Sequence, residues 1–129
     1  MKEIETFQLD KNEEKLVELL QRFGYFHIDA KILTYMLRKK KAVSRQVERD
    51  MDLRQPEVSI GMKKLRKRGL IGKTTVRTAG KGRPTDNYHL KMKPDAIKVY
   101  IVKRADAQIA EKVSHLNELK PILEDITKS

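Results

Sequence analysis

Apolar residues return at helical spacing over most of the chain. Leu16, Leu19, Leu20 and Phe23 form one such set, with Asn12 as N-cap, Glu13 and Glu14 near the positive end of the helix, and Gly24 as the stop. An aromatic link, Tyr25-Phe26-His27, leads to a second helix capped by Asp29, with Ile32, Leu33, Met36 and Leu37 on its inner face. Ala42 and Val43 read as a short extended piece. Ser44 then caps a third helix, with Glu48 near the capping-box position and Val47 and Met51 on the buried side. Asp52-Leu53-Arg54-Gln55 reads as a turn, and Pro56 suits a first helical position, where its missing N–H costs nothing. A fourth helix over 57–68 stops at Gly69 and has Val58, Met62 and Leu65 as its apolar side.

The period then changes. Residues 70–78 contain Thr74, Thr75 and Val76, which favour a strand. Residues 79–84 (Ala-Gly-Lys-Gly-Arg-Pro) read as a hairpin tip, and Asn87 to Leu90 as the return strand. Pro94 and Asp95 open a last helix. Val102, Ile109, Leu116 and Leu123 recur every seven residues, with Ala105, Lys112, Leu119 and Ile126 three further on. This is an a/d-like seam, weakened by Lys112 and interrupted by Pro121. A single helix over 95–120 is about 39 Å long at 1.5 Å per residue. The expected fold is mainly α with a small β-hairpin wing: an N-terminal helix over 1–27, a central domain of helices and hairpin over 28–93 and a C-terminal helical arm over 94–129.

Composition narrows the functional classes. The chain has 129 residues, 36% of them charged, and no Cys, which excludes disulfides, thiolate metal sites and a Cys nucleophile. Its three histidines (His27, His89, His115) are far apart, so no metal site is expected. No apolar run approaches a membrane span and the N-terminus lacks a signal-peptide core, which points to a soluble, cytoplasmic protein without a membrane partner. The net charge is +11, and residues 39–91 alone carry +11 while the flanking stretches nearly balance. A field confined in this way suits a polyanion, because each neutralised phosphate releases counterions.

The stretch AVSRQVERDMDLRQPEVSIGMKKLRKRGLI, followed by GKGRPTDNYHLK, resembles the DNA-binding half of the MarR/TrmB/Lrs14-type regulators of archaea and bacteria. The resemblance rests on an ordered combination: a capped short helix, a Pro-initiated helix, an L-x-x-x-G-L-I exit, a Gly-Arg-Pro wing and a final Y-x-L. It implies a winged helix-turn-helix and a homodimer on double-stranded DNA. At 100° per residue, Pro56, Ile60, Lys63 and Lys67 lie opposite Val58, Met62 and Leu65. A recognition helix enters the major groove by its N-terminal part, which makes Gln55, Ser59, Ile60 and Lys63 candidates for base edges. Lys64, Lys67 and Arg68 are then phosphate contacts, and Arg45 and Arg54, each beside a helix start, join the interface with Pro56. Lys81 and Arg83 at the wing tip suit the minor groove. Val102, Ile109, Leu116, Leu119, Leu123 and Ile126 form the dimer seam.

Gly72-Lys73-Thr74-Thr75 resembles the end of a phosphate-binding loop, but that motif needs Gly at position 67, which is Lys67. Tyr25, Phe26 and Tyr35 read as core rather than as a ligand cage, and the sequence does not say whether an effector exists. No catalytic set emerges, so neither enzyme activity nor a cofactor is expected. Two competitors keep the same basic surface or fold: an architectural, sequence-indifferent DNA-binding protein, and a winged-helix protein-interaction module.

Overall fold

The computed structural model describes residues 7–76 and 84–128. The chain divides into two compact units, residues 1–94 and 95–129. The first contains four helices and a small sheet, in the order α1 (Lys11–Arg22), α2 (His27–Lys39), β1 (Lys41–Val43), α3 (Ser44–Met51), α4 (Gln55–Lys67), β2 (Ile71–Val76) and β3 (Thr85–Leu90). The second is one helix, α5 (Pro94–Thr127).

Helix α2 is the centre of the first unit. Ala30 and all of Ile32, Leu33, Thr34, Tyr35 and Met36 are buried, so the helix is covered nearly all round, as expected when α1, α3 and α4 all pack on it. Val17 and Leu20 of α1, Val47 and Met51 of α3, and Val58, Met62 and Leu65 of α4 close the core, with Leu70, Ile71 and Tyr88 from the sheet side. The sheet is antiparallel in the order β1-β3-β2. Ala42 pairs with Tyr88, and Ile71 with Leu90, which puts these four on one face. The expected hairpin is therefore widened by β1, which the chain between α2 and α3 supplies.

Several helix starts differ from expectation. Asp10, rather than Asn12, caps α1: its carboxylate accepts from the Glu13 N–H at 2.8 Å while Glu13 accepts from the Asp10 N–H at 2.9 Å. Helix α2 starts at His27, so Asp29 is not its cap but a buried residue inside the first turn. Val43 precedes α3 as its N-cap, with its N–H held by Gln46 at 2.9 Å, while the Ser44 hydroxyl donates to Glu48 at 3.1 Å. Gln55 belongs to α4 rather than to the turn before it. Pro121 lies inside α5, which continues to Thr127. At 1.5 Å per residue its 34 residues span about 51 Å.

Candidate nucleic-acid interface

The link between α3 and α4 is short and held at both ends. Asp52 adopts a left-handed conformation (φ 53°), which short polar side chains tolerate better than bulky ones. The Leu53 N–H donates to the Glu48 carbonyl at 2.9 Å, and Lys31 Nζ reaches over from α2 to the Met51 carbonyl at 3.0 Å. The Arg54 N–H then donates to the Glu57 carboxylate at 2.9 Å, which fixes the first turn of α4. Gly69 (φ 79°) terminates the helix with its N–H on the Arg66 carbonyl.

Helix α4 lies close against α2. A Cβ on Gly61 would come within 2.6 Å of Ile32 Cδ1 and 3.4 Å of the Asp29 carboxyl, so a larger residue here would have to push the end of the Ile32 side chain aside. With Val58, Gly61, Met62 and Leu65 buried, the opposite side of the helix is presented to solvent: Pro56, Ile60, Lys63 and Lys67 are exposed, as are Gln55 and Ser59. Arg54, just before the helix, and Arg45, in the first turn of α3, are exposed too.

The nearby acids are mostly turned to internal partners. Glu57 holds the Arg54 N–H, Glu48 accepts from Ser44, and Asp50 accepts from the Tyr35 hydroxyl at 2.7 Å. Burial and this bond hold the Tyr35 phenol far above its ordinary value. Among the described residues, Arg45, Arg54, Lys63, Arg66 and Lys67 form no ion pair. The local field is therefore positive and not neutralised by its own neighbours.

Lys64 and Arg68 have other surroundings. Lys64 Nζ sits 3.9 Å from the centre of the Phe26 ring, and the Arg68 guanidinium 4.1 Å from that of Tyr25. One helical turn separates the two cations, and the two rings are consecutive, so the pair of contacts ties the start of α2 to the flank of α4. Both cations act on the buried Asp29. Burial raises its carboxyl above the usual range, opposed by the charges of Lys64 and Arg68.

Phe26 is the residue whose place sequence reasoning missed. Tyr25 and Tyr35 are core, as expected, but Phe26 is 65% exposed. Its apolar type points inward; only the observed start of α2 shows that it lies at the surface beside Ile60 and Lys64. Lys81 and Arg83, expected at the wing tip, lie outside the described residues, and β2 and β3 are the strands that lead to and from that tip.

Helix α5 carries its apolar row in the open. Val102, Ile109, Leu116, Leu119, Leu123 and Ile126 are each between 46% and 69% exposed. Val113 is exposed as well, four residues after Ile109 and three before Leu116. It takes up the stripe where the heptad reading places Lys112, because a straight helix repeats every 3.6 residues and drifts from a 3.5 seam.

No protein-family model matches the chain, and no curated protein sequence is similar to it. Solved structures do match. A possible transcriptional regulator from Methanosarcina mazei Go1 superposes with a TM-score of 0.63 at 15% identity, covering 81% of this chain and 86% of that one. A transcriptional regulator homologue from Pyrococcus horikoshii OT3 gives 0.50 at 19% identity, over 73% of this chain and 96% of that one. TrmBL2, described as an archaeal chromatin protein with a novel mode of DNA binding, gives 0.56 at 15% identity, over 88% of this chain and 41% of that one. At these identities the likeness is one of fold, and the fold is the winged helix-turn-helix to which residues 42–71 and 80–91 bear their resemblance.

Proposed function

We propose that this chain is a sequence-specific, DNA-binding transcriptional regulator that acts as a homodimer, with α4 in the major groove and the wing at or near the minor groove. The observation that carries the reading is the outer face of α4. Ile60, Lys63 and Lys67 stand exposed on a helix whose other side is locked into the core, and among the described residues neither lysine has an ion-pair partner. Gln55, Ser59, Ile60 and Lys63 then meet base edges: glutamine suits adenine, lysine guanine, and isoleucine the thymine methyl. Arg45, Arg54 and Lys67 meet phosphate, while Lys81 and Arg83 approach from the wing. Two copies joined through the exposed row of α5 read half-sites on one face of a duplex, about 34 Å apart. The reading assigns no catalysis and no cofactor.

The likeness in fold to TrmBL2, whose description is that of a chromatin protein, favours a second reading: the same surface used on DNA of any sequence. Selection of bound sequences from random duplexes, followed by isotherms on selected and random DNA across a salt series, separates the two. A tight preference with a steep salt dependence supports the regulator, and uniform binding supports the architectural protein. No binding at low salt removes both.

A further inference from the structure

The first turn of α2 and the flank of α4 enclose an open cleft of about 340 Å³, lined among others by Phe26, Ile28, Glu57, Ile60, Gly61 and Lys64. Two large apolar side chains are left in water at this place, Phe26 at 65% and Ile60 at 57% exposure. Together they give the cleft an apolar rim that gains by being covered. The cleft also has a charge signature unlike the lysines around it. Glu57 lines it, with its carboxylate held in place by the Arg54 N–H, and the Asp29 carboxyl lines it from α2. Lys64 is drawn over the Phe26 ring. A phosphate entering here would meet the Glu57 and Asp29 carboxyls as well as Lys64 and His27, with Lys64 already drawn over the ring and the wall otherwise mostly apolar, so the backbone of a nucleic acid is the poorer occupant. An uncharged, apolar group is the right one. In the major groove only one base edge offers such a group, the thymine 5-methyl.

We propose that Phe26, together with Ile60, forms an apolar seat for a thymine methyl beside the recognition helix, so that a residue outside the helix-turn-helix helps set the sequence preference. This rests on the DNA-reading function proposed above. The phosphates nearby are left to Lys67, and Lys64 steadies the ring by its cation–π contact.

The test uses the full chain and the duplex chosen from random DNA, in which each thymine is replaced in turn by uracil, a change that removes the methyl alone. One position is expected to lose affinity by about fourfold, the value of one buried methyl-sized group. The Phe26→Ala protein is expected to bind thymine and uracil alike at that position, and Phe26→Leu, which keeps an apolar side chain, to restore most of the difference. Thermal unfolding of each variant shows whether it is folded. Equal uracil penalties in the parent and Phe26→Ala proteins overturn the proposal, as does the same loss from Phe26→Ala on every sequence, which is the behaviour of a general packing residue or of a protein-docking site. If the parent chain prefers a sequence but no thymine is sensitive to uracil, the methyl seat fails while the DNA-reading function stands. If it binds no duplex, both fail.

Discussion

Helices α4 and α5 both display an apolar side at helical spacing, yet the two sides end differently. In α4, Val58, Met62 and Leu65 are completely or almost completely buried against the chain's own core. In α5, Val102, Ile109, Leu116 and Leu123 keep about half of their surface in water. On the reading proposed above, the same periodicity serves two purposes. One is to fix a helix so that its far side can be read by something else; the other is to offer the apolar side itself. From Val102 to Ile126 this row runs for about 36 Å, and leucine and isoleucine left in water along it gain nothing from the solvent.

The largest expected effect breaks the α5 half of that contrast. Ile109→Glu with Leu116→Glu places two carboxylates in the row proposed above to hold the second copy. Sedimentation is expected to change from dimer to monomer, while the thermal transition of the winged-helix unit persists. A chain ending at Lys93 is expected to sediment as a monomer for the same reason. A dimer that survives both changes lies on another surface. The α4 half is broken by Leu65→Ala. This leaves a void in a packed core and is expected to cost about 2–5 kcal/mol of folding stability, measured by denaturant titration. Leu119→Ala in α5 is expected to leave the stability of the monomeric double variant nearly unchanged, since that side chain is already exposed.

A smaller effect sits under α4. Asp29 has its carboxyl raised by burial, against the pull of Lys64 and Arg68. A carboxyl with a higher folded-state value binds its proton more tightly in the folded chain than in the unfolded one. Its contribution therefore favours folding below the unfolded value, near pH 4, and is lost as pH rises through the folded value. Asp29→Asn removes that dependence. Unfolding free energies of the two proteins measured across acid to neutral pH are expected to diverge in favour of the Asp29→Asn variant as pH rises. Glu13, lowered chiefly by its bond to Arg38, has the opposite dependence, but it is common to both proteins and cancels in the difference. A difference that stays flat with pH would show that Asp29 is not buried against α4 as described.

The pattern of the chain carried most of this architecture and stopped at identifiable places. The buried faces of α2 to α4 follow largely from apolar spacing, but α1 departs from it: Leu20 is buried, Leu16 and Phe23 only partly, Leu19 is 42% exposed, and Val17 fills the core instead. Strand β1 was legible as an extended piece but not as a partner of β3, since pairing between Ala42 and Tyr88 joins residues far apart in sequence. Caps are ambiguous where polar residues cluster: Asp10 and Asn12 both stand at the start of α1, and only the reciprocal bond with Glu13 decides between them. Asp29 has the type of a cap, yet it is buried because α2 starts two residues earlier and α4 crosses next to it at Gly61. In the candidate interface the outward residues Ile60, Lys63 and Lys67 follow from the helical wheel. The ring contacts of Lys64 and Arg68 do not, because Tyr25 and Phe26 come from another part of the chain.

Those ring contacts lead to the finest distinction, between two lysines three residues apart on α4. Lys67 points outward and, among the described residues, forms no ion pair, whereas Lys64 is half-buried with its ammonium over Phe26. A lysine that meets phosphate displaces about one condensed counterion, so Lys67→Ala is expected to weaken all duplexes alike and to lower the slope of log affinity against log salt by about 1. Lys64→Ala is expected to change that slope by much less. It instead removes a cation–π contact of about 0.5–1 kcal/mol, read as a small fall in folding stability with the ring left unsteadied. The measurement is a salt series for both variants on selected and random duplexes, with denaturant unfolding alongside. If Lys64→Ala lowers the salt slope as much as Lys67→Ala and leaves stability untouched, Lys64 swings away from the ring on binding, and the two flanks of α4 share one role in holding phosphate.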